Sequence, residues 1–107
     1  MPELTLPEVA LHYEIEGDGP PLVLIPGMAS DSASWAPIVP ALAARFTVIR
    51  PDNRTTGRTR PRAAAVSVAA MAADAAALIE ALDAAPCHLV GHSMGGLVTM
   101  ELAAARP

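Results

Sequence analysis

His88-Leu89-Val90-Gly91-His92-Ser93-Met94-Gly95-Gly96-Leu97-Val98 decides how the rest of this 107-residue chain is read. The apolar lead-in is short enough for a buried strand, and Leu97, Val98 and Leu102 begin a helical run. Between them, Gly91-His92-Ser93-Met94-Gly95 fits the pattern G-x-S-x-G. At average residue usage three fixed positions match by chance at about 3 in 10,000 starts, so the match carries weight. Strand, sharp turn and helix together are the context in which a serine hydroxyl is presented as a nucleophile. The requirement is steric. The serine backbone at such a turn is strained, and Gly91 and Gly95, lacking Cβ, let strand and helix pass close together. The amide of Met94 then sits at a helix N-terminus, free to donate to a developing oxyanion. The competing reading is a Gly-rich turn in which Ser93 merely caps the helix.

Outward from this stretch, the chain reads as scaffold. Val9, Leu11, Tyr13 and Ile15 alternate with Ala10, His12, Glu14 and Glu16, which predicts a strand with one wet face. Leu4 to Leu6 is its short partner, turned at Pro7-Glu8. Glu16 to Pro21 is a loop by its turn residues. Leu22-Val23-Leu24-Ile25 is a continuous apolar run ending at Pro26-Gly27, as in a strand buried on both faces. The loop Pro26 to Asp31 follows directly, and such loops line the crevice of an open α/β sheet. A helix is expected over roughly 34–44, with Trp35, Val39 and Leu42 inward and Ile38 a further candidate. Pro37 and Pro40 are tolerable only near its first turn. Phe46 to Ile49 is another short strand. From about Ser67 to Leu82 the residues Val68, Met71, Ala72, Ala75, Leu78, Ile79 and Leu82 recur at helical spacing, with Asp74, Glu80 and Asp83 off the stripe. Ala85-Pro86 stops that helix. Strands alternating with helices after an opening hairpin define an α/β class with a mainly parallel sheet, as a single unit over 1–107 without repeats or a linker.

Composition excludes some functions. The net charge is −4, all seven basic residues are arginine, and no aromatic residue lies among Arg50, Arg54, Arg58, Arg60 and Arg62. Nucleic acid is therefore not an expected partner. The arginine-bearing stretch reads as a solvated loop or as a patch for an acidic substrate. No run approaches the length of a membrane span, and the opening Met1-Pro2-Glu3 does not read as a signal peptide, so no membrane partner and a cytoplasmic location are expected. The lone Cys87 has no internal disulfide partner and suits a reducing compartment as filler in a buried strand. There is no metal-ligand cluster and no phosphate loop, so no cofactor is implied.

Three landmarks in order resemble the N-terminal part of an α/β-hydrolase-fold protein: the Pro26-Gly27-Met28 loop, the stretch Asp52 to Thr59, and the turn at Ser93. The resemblance covers essentially the whole chain. In that family a His-Gly pair ends the third strand and the next residue offers a backbone N–H to the oxyanion. Here Gly27 matches the glycine, Pro26 replaces the histidine, and Met28 would be the donor beside Met94. The family stretch D-x-R-G-x-G-x-S is matched by Asp52, Arg54 and Gly57, while Thr55 and Thr59 replace a glycine and a serine. Serine at the turn resembles esterases, lactonases and related acyl hydrolases. The resemblance thus implies a Ser93 nucleophile, Met28 and Met94 as oxyanion donors, Gly27 and His92 at the substrate, and a small-molecule acyl substrate. The family's acid and histidine follow the serine in chain order, and residues 94–107 hold Glu101 and no histidine. His12, His88 and His92 are not expected to serve as the base, reach being the first criterion. The fold is expected to be incomplete, with the Ser93 strand at an open sheet edge. Its partner would be the remaining C-terminal part or a second copy. Alternatively the chain is a non-catalytic fragment or interaction module that pairs through that edge.

Overall fold

The computed structural model describes residues 3–27, 32–54, 59–60 and 67–105. Five strands form one sheet: β1 Glu3–Thr5, β2 Ala10–Glu16, β3 Pro21–Ile25, β4 Thr47–Pro51 and β5 His88–Gly91, in the spatial order β1-β2-β4-β3-β5. The sheet is mixed. β4, β3 and β5 run parallel, and the opening β1–β2 pair joins them antiparallel, with Ile15 opposite Ile49. β3 lies between β4 and β5, which is why its run of apolar side chains shows no alternation. Leu22, Val23, Leu24 and Ile25 are all buried.

The two faces of β3 feed two cores. Val23 and Ile25 join Leu11 and Ile49 under α2 (Val68–Ala81) and α3 (Met94–Ala105), against Met71, Leu78, Val98 and Leu102. Leu22 and Leu24 join Val48 on the opposite face, covered by Trp35, Leu42 and Phe46. Each fully buried aliphatic side chain contributes about 1.5–3 kcal/mol.

The helix expected over 34–44 is two pieces, a 3-10 turn Ser32–Trp35 and a single short helix α1, Val39–Ala43. Proline is the reason. Pro37 and Pro40 carry no N–H and disfavour helical backbone in the residue before them. Val39 is buried and Trp35 and Leu42 pack inward as expected, but Ile38 is 47% exposed.

α2 matches its periodicity closely. Ser67 caps it in extended backbone (φ −154°, ψ 160°), and its Oγ accepts from the Ala70 N–H at 2.9 Å. It ends before Ala85-Pro86. Asp83 takes φ +52°, its N–H donates to the Glu80 carbonyl, and the Ala84 N–H donates to the Ile79 carbonyl. That is the Schellman pattern, with aspartate where glycine is usual.

Three burial expectations are corrected. His12 is buried, not on a wet face, because the chain at 59–60 crosses β2. The His12 N–H donates to Thr59 Oγ1 at 3.0 Å, and Ala10 bridges Arg60. Asp74 is buried although it lies off the apolar stripe, because it pairs with Arg54. Cys87 is half-buried just before β5 rather than within a strand, and burial pushes its thiol pKa up.

Candidate active site

The chain leaves β5 at Gly91 and enters α3 at Met94, so the turn has only two residues, His92 and Ser93. The His92 N–H donates back to the Ile25 carbonyl at 3.1 Å, which ties the turn to the end of β3. Ser93 takes φ +57°, the left-handed region that a β-carbon disfavours. It is solvent-exposed at the tip. An ordinary helix cap has extended backbone, as Ser67 has, so Ser93 lacks the geometry of the simple capping reading.

The glycines are there for space. A Cβ on Gly91 would strike the Gly95 carbonyl oxygen and Thr99 Oγ1, and one on Gly95 would strike the carbonyl oxygens of Ile25 and Pro26. Strand and helix therefore approach through backbone alone. Met94 is the first residue of α3, so its N–H belongs to the turn of a helix that has no internal acceptors.

Gly27 faces this turn from the end of β3. A Cβ there would lie 3.1 Å from the His92 carbonyl oxygen, 3.2 Å from Ser93 Cβ and 3.4 Å from His92 Nδ1. Gly27, His92, Ser93 and Met94 are thus gathered at the carboxyl ends of β3 and β5. Met28 falls outside the described residues, as do Thr55, Gly57, Arg58 and Arg62.

In the arginine-bearing stretch, Arg50 and Arg54 are buried and paired rather than solvated or open to an anion. Arg54 is 6% exposed. Its Nε and Nη2 donate to the two carboxylate oxygens of Asp74 at 2.7 and 3.1 Å, and its Nη1 donates to Glu8 at 2.6 Å. The hydrogen bonds it donates to Asp74 hold the guanidinium charged, against the opposing effect of burial. This pairing explains the buried Asp74. Breaking a buried pair by removing one partner typically costs about 3–5 kcal/mol. Arg50 likewise donates to Glu16 at 2.6 Å. Arg60 is exposed.

Two further residues tie this stretch down. The Thr59 hydroxyl donates to the Asp52 carbonyl at 2.5 Å, and Asn53 Nδ2 donates to the Pro26 carbonyl at 3.2 Å. Asn53 occupied a variable position of the motif, so nothing in the pattern marked it.

His12 is on β2, with β4 and β3 between it and β5, and it pairs with Glu14. His88 sits at the opposite end of β5 from the turn, edge-on to Phe46 at 5.7 Å. His92 neighbours Ser93. Among the described residues no group of three or more histidine, cysteine or acidic side chains could hold a metal, and no helix is long and apolar enough to cross a membrane.

A sheet of this order with a strained serine turn between β5 and a following helix defines the class. The chain belongs to the α/β hydrolase fold family, whose model matches residues 20–107. Among curated relatives it is 41% identical over 97 residues to RutD of Azorhizobium caulinodans, provisionally named a carbamate hydrolase, covering 91% of this chain and 37% of that protein. It is 36% identical to pyrrolizixenacetamide deacetylase of Xenorhabdus hominickii, covering 100% of this chain and 41% of the relative. The enol-lactonase of Burkholderia xenovorans LB400 superposes with a TM-score of 0.91 at 32% identity, over 98% of this chain and 42% of the enzyme. The chain therefore spans about two fifths of the length of these relatives and corresponds to the N-terminal portion of their fold.

Proposed function

We propose that the protein carrying this chain is a serine hydrolase of ester, lactone or related acyl bonds, with Ser93 as nucleophile. The observation that carries the proposal is Ser93 at φ +57° on a two-residue turn, exposed and backed by Gly27. A hydroxyl held there can approach a carbonyl carbon along one face. The carbonyl oxygen, as it gains charge, is met by the Met94 N–H at the start of α3, with the Met28 N–H as the second donor that the family resemblance implies. Gly27 and His92 form the near wall for the acyl group. Serine needs a base to take its proton and a carboxylate to orient that base. In this fold both follow the serine in chain order, so they come from beyond α3. The named activities of the relatives, on carbamate, acetamide and enol-lactone, share attack on an acyl carbon. That common step is what the proposal carries over, not any one substrate.

Ser93→Ala in the intact protein should reduce ester turnover by at least about 10³-fold while leaving the fold in place. Turnover within tenfold of the parent, with a folded variant, would refute the assignment.

A second reading, a module that pairs through its sheet edge, is favoured by one feature. Among the described residues β5 pairs with β3 alone, and Val90 on it is 43% exposed. The same Ser93→Ala comparison separates the two readings.

A further inference from the structure

We propose that Thr99 is a positioning residue for the oxyanion donor at Met94, acting through its side-chain hydroxyl from the second turn of α3. This inference rests on the serine hydrolase reading given above. Every group it uses lies among the described residues.

The start of α3 is closed by tight bonds. The Gly95 N–H donates to the His92 carbonyl at 2.9 Å, and the Gly96 N–H donates to the Ser93 carbonyl at 2.9 Å. Both reach back three residues, which tightens the turn. Among the described residues the Met94 N–H has no such acceptor, which leaves it for a developing oxyanion.

What aims that N–H is the peptide unit it belongs to. A peptide group is planar, so the Ser93 carbonyl and the Met94 N–H move as one body. The Ser93 carbonyl is held by the Gly96 N–H. That N–H shares a second planar unit with the Gly95 carbonyl. The second unit is flanked by two glycines, so of the units in this turn it is the most free to tilt. The Thr99 hydroxyl donates to the Gly95 carbonyl at 2.9 Å and restrains it. The line of support thus runs from the Thr99 O–H to the Gly95 C=O, across that plane to the Gly96 N–H, on to the Ser93 C=O, and across the last plane to the Met94 N–H. Each step is a hydrogen bond or a rigid plane, with no freely rotating bond inside it. Such a chain also polarises in one direction, each donor strengthening the next.

The placement of Thr99 agrees with this role. It is half-buried on the side of α3 that meets β5, where a Cβ on Gly91 would strike both its Oγ1 and the Gly95 carbonyl oxygen. Helix stability alone does not call for threonine there. Threonine is a poorer helix former than the alanines at 103–105, and a hydroxyl bonded to the carbonyl four residues back bends a helix rather than stabilising it. A small misalignment of the Met94 N–H weakens transition-state binding without weakening substrate binding.

The test is made in the intact protein with a p-nitrophenyl ester as substrate and phenylboronic acid as probe, whose tetrahedral adduct puts an oxygen where the oxyanion forms. Thr99→Val removes the hydroxyl and keeps the branched shape. Thr99→Ala removes it without adding bulk beside Gly91, and Thr99→Ser keeps it. Removing one oxyanion donor outright costs about 10²–10³-fold in kcat, so loosening its aim should cost about tenfold. The expected result is that loss in Thr99→Val and Thr99→Ala, with KM within about threefold of the parent and boronate affinity lowered by the same factor as kcat. Thr99→Ser should stay within about threefold of the parent in all three quantities. A kcat within about twofold of the parent in folded Thr99→Ala would overturn the proposal. So would a fall in kcat with boronate affinity unchanged, an equal fall in Thr99→Ser, or a fall that merely tracks the folded fraction. Ser93→Ala is assayed alongside. If it abolishes turnover while the Thr99 variants are normal, only the Thr99 inference falls; if it retains turnover, the serine hydrolase reading falls and this inference with it.

Discussion

Ser67 and Ser93 both stand immediately before a helix, and their backbones differ completely. Ser67 is extended and spends its hydroxyl on the Ala70 N–H, whereas Ser93 is left-handed and exposed. The difference comes from the glycines around Ser93, and it can be tested with neighbouring positions in α3. Alanine for glycine in a helix gains up to about 1 kcal/mol in propensity. At Gly95 the new Cβ meets backbone oxygens of Ile25 and Pro26, which cannot swing aside, and overpacking costs about 1–3 kcal/mol or more. Gly95→Ala should therefore be destabilising by about 2 kcal/mol in urea unfolding. Gly96→Ala meets only the Gly91 carbonyl, at 3.9 Å, and should be neutral or slightly stabilising. Equal effects at the two positions would contradict the close strand–helix approach. This part of the site was legible because G-x-S-x-G states a steric need in residue types. The Arg54–Asp74–Glu8 cluster was not. Those three residues are far apart in the chain, and a carboxylate off an apolar stripe looks solvated until its partner is known.

Among the elements, legibility followed the strength of the local pattern. α2 was read almost to its ends because Ser67 and the apolar stripe act locally. The stretch at 34–44 was read as one helix because its apolar spacing suits one, while Pro37 and Pro40 act on backbone rather than pattern. The end of α2 shows the same limit. Ala85-Pro86 looked like the stop, but the chain turns earlier, at Asp83 in left-handed backbone. That geometry favours glycine. Asp83→Gly should raise stability by about 0.5–1 kcal/mol, read as a higher urea midpoint with an unchanged m-value. A loss of stability would mean the aspartate side chain contributes more at that corner than its backbone costs. His12 was misplaced for a different reason. Strand alternation says which side chains share a face, but not whether a distant segment such as 59–60 will cover it.

At the scale of the whole chain, the organising fact is that among the described residues the serine strand is at the sheet's edge. Order β1-β2-β4-β3-β5 leaves β5 paired on one side among the described residues, with Val90, Leu97 and Met100 exposed at 43, 52 and 63%. An unpaired apolar edge recruits other strands. The isolated 107-residue chain should sediment above its 11.0 kDa monomer mass, and Val90→Lys should shift it toward the monomer. A monodisperse, cooperatively folded monomer of the parent chain would count against an open edge. The general order of strands and helices was readable from the alternation of apolar runs, whereas the acyl pocket was not, since much of it in this fold family is built after the segment that matches α3. What remains central is the chemical role of Ser93. The most direct measurement is peptide mapping of the intact protein after brief exposure to a fluorophosphonate. A single phosphonylated peptide carrying Ser93 is expected, formed in step with loss of turnover and absent from folded Ser93→Ala. Complete inactivation with the adduct on another residue, or full turnover with Ser93 modified, would contradict it.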